Sequence, residues 1–219
     1  MRLELHYYGI DYMNTVKIIT ISGDLGAGKS SLATALIKNF EAAYYSTGAV
    51  QRQIAEEMGM TTLELNKIAE TEAWVDEKID GVFKSLSESP TNLVIDSRMA
   101  WHFLPDSFKI RLEVDIDTAA QRVNGDKNRH NETYESLENT KSGLVARRDS
   151  EYERFQTYYG VNIRDHKNYD LVIDTSQATP ISIAQLAAEQ ARNFFNGKTT
   201  IRNWSGNAKG YLVSQDGGA

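Results

Sequence analysis

Residues 23–30 read Gly-Asp-Leu-Gly-Ala-Gly-Lys-Ser, which is the spacing G-x-x-x-x-G-K-[ST], and no other stretch restricts the fold so strongly. Its setting gives the octet weight. Val16 to Ser22 (VKIITIS) is a short apolar run, the pattern of a strand buried in a parallel sheet, and Ser30 to Asn39 has helical spacing. A tight strand-to-helix turn of this kind aims successive backbone N–H groups at an anion, because glycine tolerates the backbone angles required. The helix N-terminus adds a partial positive charge. The spacing fits nucleoside triphosphate phosphates, with Gly23, Asp24, Leu25, Gly26, Ala27, Gly28, Lys29, Ser30 and Ser31 as the expected cradle. Lys29 is expected to reach the β- and γ-phosphates and the Ser30 hydroxyl to ligate Mg²⁺. The plain alternative is a glycine-rich turn with an incidental lysine.

Beyond the octet, strands and helices alternate. Strands are predicted at 42–45, 92–95, 109–114 and 171–173, and helices at 49–58, 61–69, 72–87, 117–123, 134–158 and 181–195. That alternation predicts an α/β fold, a parallel sheet with helices on both faces. Residues 16–196 form the expected domain. Residues 1–15 and 197–219 read as terminal extensions, the latter a loosely held tail rich in Gly, Asn and Ser.

Composition removes several classes of function. With no Cys among 219 residues, a disulfide framework, a thiolate metal site and a cysteine nucleophile are excluded. No apolar run of about 18 residues exists to span a membrane, and no secretory signal opens the chain, so a cytoplasmic protein is expected. A net charge of −6 argues against a general nucleic-acid binder. No N-K-x-D base-reading motif of GTPases is present, and the chain is short for a motor or helicase. A small-molecule kinase is the leading class.

Arginines mark the acceptor side. Arg98 follows the strand Leu93-Val94-Ile95, on the side where ligands of parallel sheets bind, and Arg52 lies on the helix after Ser46-Thr47-Gly48. Two guanidinium forks suit a terminal phosphate on the acceptor; a turn residue and a solvated helix face are the bland readings. Asp96 ends its strand as a Walker B acid does. It serves either Mg²⁺ through water or, in a kinase of alcohols, as general base. Arg147, Glu151 and Arg154 share one helical face at i, i+4 and i+7. They form either an exposed ion-paired face or a lid whose arginines, Arg147 and Arg154, neutralise charge in the transition state. Trp101 fits the acceptor pocket and core packing equally, and Tyr158 and Tyr159 read as packing residues.

Several longer segments resemble the nucleoside monophosphate kinases of the P-loop superfamily, most closely the archaeal-type cytidylate kinases. They are IITISGDLGAGKSSLA (18–33), YSTGAVQRQIAEEMGM (45–60), VDEKID (75–80), LVIDSRMAW (93–101) and ARRDSEYERFQTYYGVNIRDHKNYDLVIDTS (146–176). The resemblance covers about Lys17 to Phe195. It implies a P-loop three-layer α/β/α fold with a helical acceptor-binding segment at about 46–90 and a lid at about 124–160. It implies ATP and Mg²⁺ as cofactors and CMP or dCMP as acceptor. It further implies that Arg52 and Arg98 hold the acceptor phosphate, that Glu151 lies near the acceptor and that Arg122 sits at the lid's edge by the nucleotide. Ser97 departs from the family, which has glycine there. A monomer is expected. The competing expectations are a P-loop kinase of a hydroxyl acceptor and a non-catalytic ATP-binding protein.

Overall fold

The computed structural model describes residues 16–126 and 136–205. Six strands form one parallel sheet: β1 (Ile18–Gly23), β2 (Ala43–Ser46), β3 (Leu93–Asp96), β4 (Phe108–Glu113), β5 (Leu171–Asp174) and β6 (Asn203–Ser205). Their spatial order is β2-β3-β1-β4-β5-β6, and every pairing is parallel. Because successive strand residues face opposite sides, Ile19, Ile21, Val94 and Leu112 enter one apolar layer with α1 (Lys29–Phe40) and α9 (Pro180–Phe195). Leu93 and Ile95 turn to the other side, against α5 (Phe83–Ser87) and α6 (Ala100–Phe103). The three-layer α/β/α expectation is met.

The remaining helices build the flanks of the sheet's C-terminal edge. They are α2 (Thr47–Glu57), α3 (Thr62–Ala69), α4 (Trp74–Asp80), α7 (Ile116–Gly125) and α8 (Leu137–Tyr159). Ser46, Thr61, Asp115, Ser136 and Thr179 each cap a helix by accepting a backbone N–H. Thr61 and Glu64 complete a reciprocal capping box. Short loops behind these caps fix where each helix starts, and so which side chains reach the sheet edge.

Two expectations need correction, and one helix had none. The helix predicted over 72–87 is two, α4 and α5, interrupted at Gly81, a residue of poor helix propensity. The four-residue α6 was not foreseen; its start is held by Ser97 Oγ, which accepts from Met99 N (3.1 Å) and Ala100 N (3.2 Å). The loose tail from residue 197 instead returns to pair β6 with β5 and buries Trp204. Of the expected lid, residues 127–135 lie outside the described residues, as do 1–15 and 206–219.

Candidate active site

The turn after β1 requires its glycines. Gly23 has φ 133°, and a Cβ there would lie 2.0 Å from the Leu112 carbonyl oxygen. Gly26, at φ 79°, would press a Cβ to 2.9 Å from Ala119 O. α1 then starts at Lys29 with no side-chain cap and no acidic residue in its first turn, so its positive end stays open to an anion. Lys29 Nζ donates to the carbonyls of Gly23 (3.1 Å) and Asp24 (2.7 Å). Burial, with Arg98 nearby, brings the Lys29 ammonium down to about 7, against the pull of Asp96, Glu151 and Asp24. Triphosphate oxygens beside it would restore its charge.

A cavity of about 700 Å³ opens in front of this turn. From the phosphate loop it is lined by Leu25, Gly26, Gly28, Lys29, Ser30 and Ser31. Opposite stand Arg52 of α2, Asp96 at the end of β3 and Arg98 just beyond it, Arg122 of α7, and Arg147, Glu151 and Arg154 of α8. Glu151, 8 % exposed, accepts from Arg98 Nε at 2.8 Å and from Arg147 Nε at 3.1 Å. Burial alone would raise its carboxyl, but the Arg98 and Arg147 guanidiniums outweigh burial and hold it down at about 2. α8 thus reaches across the cavity and closes on the residue that follows β3.

Other expected residues sit differently. Ala27 is buried, and Gly23 and Asp24 do not face the cavity. The Asp24 carboxylate turns the other way, 3.6 Å from Arg111 Nη2 and 3.3 Å from Arg148 Nη2. Arg122 spends its fork on two loops: Nη1 donates to Gly26 O (3.2 Å) and to Thr175 Oγ1 (3.2 Å), and Nη2 to Thr175 O (2.8 Å), bracing the phosphate loop against the end of β5. Arg154 lies deeper than Arg147, its Nε 3.1 Å from Asp76 Oδ2 of α4. Trp101 belongs to the core: its indole packs on Tyr169 and its N–H donates to Arg98 O. Tyr159 packs as expected but also donates to Asp80 Oδ2 at 2.6 Å.

Asp76 and Asp80 line the same cavity and were missed as site residues. The available signal was their i, i+4 spacing beside the apolar pair Val75 and Ile79, which puts the carboxylates next to a buried stripe.

The parallel sheet, the phosphate turn and the guanidinium-rich cavity define a P-loop kinase fold. A solved shikimate kinase from Bacteroides thetaiotaomicron shares it, with a TM-score of 0.55 at 16 % identity over 79 % of this chain and 97 % of that one. More narrowly, the chain belongs to the cytidylate kinase-like family, whose model matches residues 18–177. It is 34 % identical over 184 residues to a cytidylate kinase of Sulfurisphaera tokodaii, covering 83 % of this chain and 98 % of that protein. It is 31 % identical over 192 residues to one of Haloarcula marismortui, covering 85 % and 97 %. Among the described residues no helix is long and apolar enough to cross a membrane.

Proposed function

We propose that the chain is a nucleoside monophosphate kinase that transfers the γ-phosphoryl group of ATP to the phosphate of CMP or dCMP. One observation carries this reading: a phosphate loop and a second cluster of guanidiniums, Arg52, Arg98 and Arg147, share one cavity. A hydroxyl acceptor has no dianion to neutralise; a monophosphate beside a triphosphate does. Membership of the cytidylate kinase-like family supports the same acceptor.

The residues present fit Mg²⁺. The Ser30 hydroxyl and Asp96 face one cavity, and no group of three or more carboxylate, His or Cys ligands occurs among the described residues. Mg²⁺ usually takes one or two protein oxygens plus substrate phosphates. When bound, it would supply charge neutralisation between the phosphoryl oxygens. Lys29 tracks the transferring group, leaving the Gly23 and Asp24 carbonyls for phosphate oxygens. Arg52 and Arg98 hold the acceptor phosphate, and Arg147 neutralises developing charge from the lid side. Arg122 keeps the donor loop in register. The lid reading of 124–160 rests on α8 reaching over the cavity. A monomer, a cytoplasmic place and the absence of nucleic-acid partners remain part of this reading.

ADP release with CMP, dCMP, other monophosphates and cytidine tests it. Charge-assisted hydrogen bonds are worth roughly 1.5–3 kcal/mol, so Arg52→Ala and Arg98→Ala should each lower kcat/KM for CMP about tenfold to a few hundredfold. ATP binding should hold, and extra Mg²⁺ should partly restore Asp96→Asn. Preference for cytidine, with both arginine variants indifferent, would give the site to a hydroxyl acceptor instead.

A further inference from the structure

The strand before Arg98 brings the residue to the cavity, but its side chain leaves from the turn between β3 and α6. α6 has four residues, about one turn, too short to hold a shape of its own. Neighbouring side chains fix this peptide instead. Ser97 Oγ closes the turn by accepting from Met99 N and Ala100 N. The Arg98 carbonyl oxygen has two lone pairs, and it accepts twice: from Trp101 Nε1 at 2.8 Å and from Ser22 Oγ at 3.3 Å. Trp101 is 7 % exposed, and its indole lies against the Tyr169 ring with centroids 5.3 Å apart. Tyr169 is anchored in turn, its hydroxyl donating to Ile163 O at 2.8 Å. Packing alone has no use for an indole N–H, since Phe155, Tyr169 and Phe103 fill the same apolar region.

The far end of the Arg98 side chain is held as well, Nε donating to Glu151 Oε2 at 2.8 Å. A guanidinium steadied at both ends of its stem meets a phosphate without first giving up rotamer freedom. Ser22 adds a second consequence. It is buried in β1 directly before Gly23, where the phosphate loop begins. The same carbonyl therefore ties the acceptor side of the cavity to the root of the donor side.

We propose that Trp101 and Ser22 are positioning residues for the acceptor phosphate: together they clamp the Arg98 carbonyl and so set the distance of its guanidinium from the phosphate loop. The proposal rests on the monophosphate kinase reading above, in which Arg98 holds that phosphate. Neither Trp101 nor Ser22 lines the cavity, so each acts through Arg98. In-line transfer is sensitive to this separation, because misplacing the reacting groups by about 1 Å can cost on the order of a hundredfold in rate.

The test is kcat and KM for CMP and ATP in Trp101→Phe and Ser22→Ala, each made in the wild type and in Arg98→Ala. Phenylalanine keeps most of the packing on Tyr169 and removes the N–H; alanine at position 22 removes one oxygen. On the scale of one hydrogen bond, Trp101→Phe should lower kcat/KM for CMP about three- to tenfold and Ser22→Ala about two- to fivefold, with KM for ATP unchanged. In Arg98→Ala the same substitutions should change kcat/KM by less than about 1.5-fold, because residues that act through one another are not additive. Equal losses in both backgrounds overturn the proposal, since a side chain that only supports the fold weakens the enzyme whether or not residue 98 carries a guanidinium. Thermal unfolding of each variant reads packing separately: a lower melting temperature with kcat/KM kept marks Trp101 as core filling and also overturns it. If Trp101→Phe does not fold, the Ser22→Ala pair decides alone. Arg98→Ala with unchanged CMP kinetics removes the acceptor role of Arg98 and this proposal with it; Arg98→Ala impaired on CMP, with additive losses, removes this proposal alone.

Discussion

Replacing Glu151 by glutamine removes the one negative charge between Arg98 and Arg147 without changing the shape of the side chain. The carboxyl is held from 4.5 down to about 2, and at about 1.4 kcal/mol per unit its charge contributes about 3 kcal/mol to folding near neutrality. Its side chain is only 10 % exposed, so solvent screening takes little from that figure. Glu151→Gln should then unfold at a temperature roughly 6–12 °C lower at pH 7, from about 2–4 °C per kcal/mol for a chain of this size. The pH dependence has a definite sign. A carboxyl whose folded pKa is depressed stabilises fully above its unfolded value and loses that contribution as pH falls through the folded one. The gap between the two proteins should therefore shrink below pH 4.5, to about 2 kcal/mol at pH 3.5. Other carboxylates titrate in both proteins and drop out of the difference. Thermal and urea unfolding of both proteins from pH 7 to 3.5 measure it. Equal stability at pH 7, or a gap that does not narrow in acid, would refute the reasoning that this charge balances the arginines.

Lys29, brought down to about 7 in the free protein, should take up protons when ATP restores its charge; calorimetry at pH 7.5 in buffers of different ionisation heat reads the uptake, and none would contradict the charge change. Lys29→Ala should fold normally and lose most of kcat; a variant that keeps most activity would remove the phosphate loop from catalysis. Gly23→Ala should cost more than about 3 kcal/mol, because the added methyl meets a backbone carbonyl at 2.0 Å that no side-chain rotation can relieve; urea denaturation checks this, and an unchanged midpoint would contradict the packing of this turn on β4.

The phosphate turn was legible because backbone geometry there admits few residues: Gly23 and Gly26 are demanded by their φ angles and by the Leu112 and Ala119 carbonyls, and local demands are written locally. The place of Arg98 beside the cavity was legible for a similar reason, the residue being fixed by the strand before it. Asp76 and Asp80 were not. On a helix bearing Glu77 and Lys78 they look like a solvated face, and only Arg154 and Tyr159, some eighty residues on, bury them. The Glu151–Arg98 contact likewise joins positions 53 apart. β6 escaped notice because a three-residue edge strand carries almost no periodicity; Trp204 was its one apolar signal. Gly81 is visible in the sequence, but a single glycine does not by itself decide between a continuous and a broken helix.

Asp24 belongs to two neighbourhoods at once. Its carbonyl oxygen accepts from Lys29, which lines the cavity, while its carboxylate reaches to Arg111 and Arg148. Arg111 is a strand residue with a 7 % exposed side chain, a fixed anchor; Arg148 rides on α8 and is 34 % exposed, a partner that can let go. A displacement of α8 would therefore have a covalent route, through one carboxylate and one Cα, to the carbonyl that accepts from the lysine. On the proposed reading, the posture of α8 beside the cavity would reach the phosphate loop through a single residue, one that does not itself line that cavity.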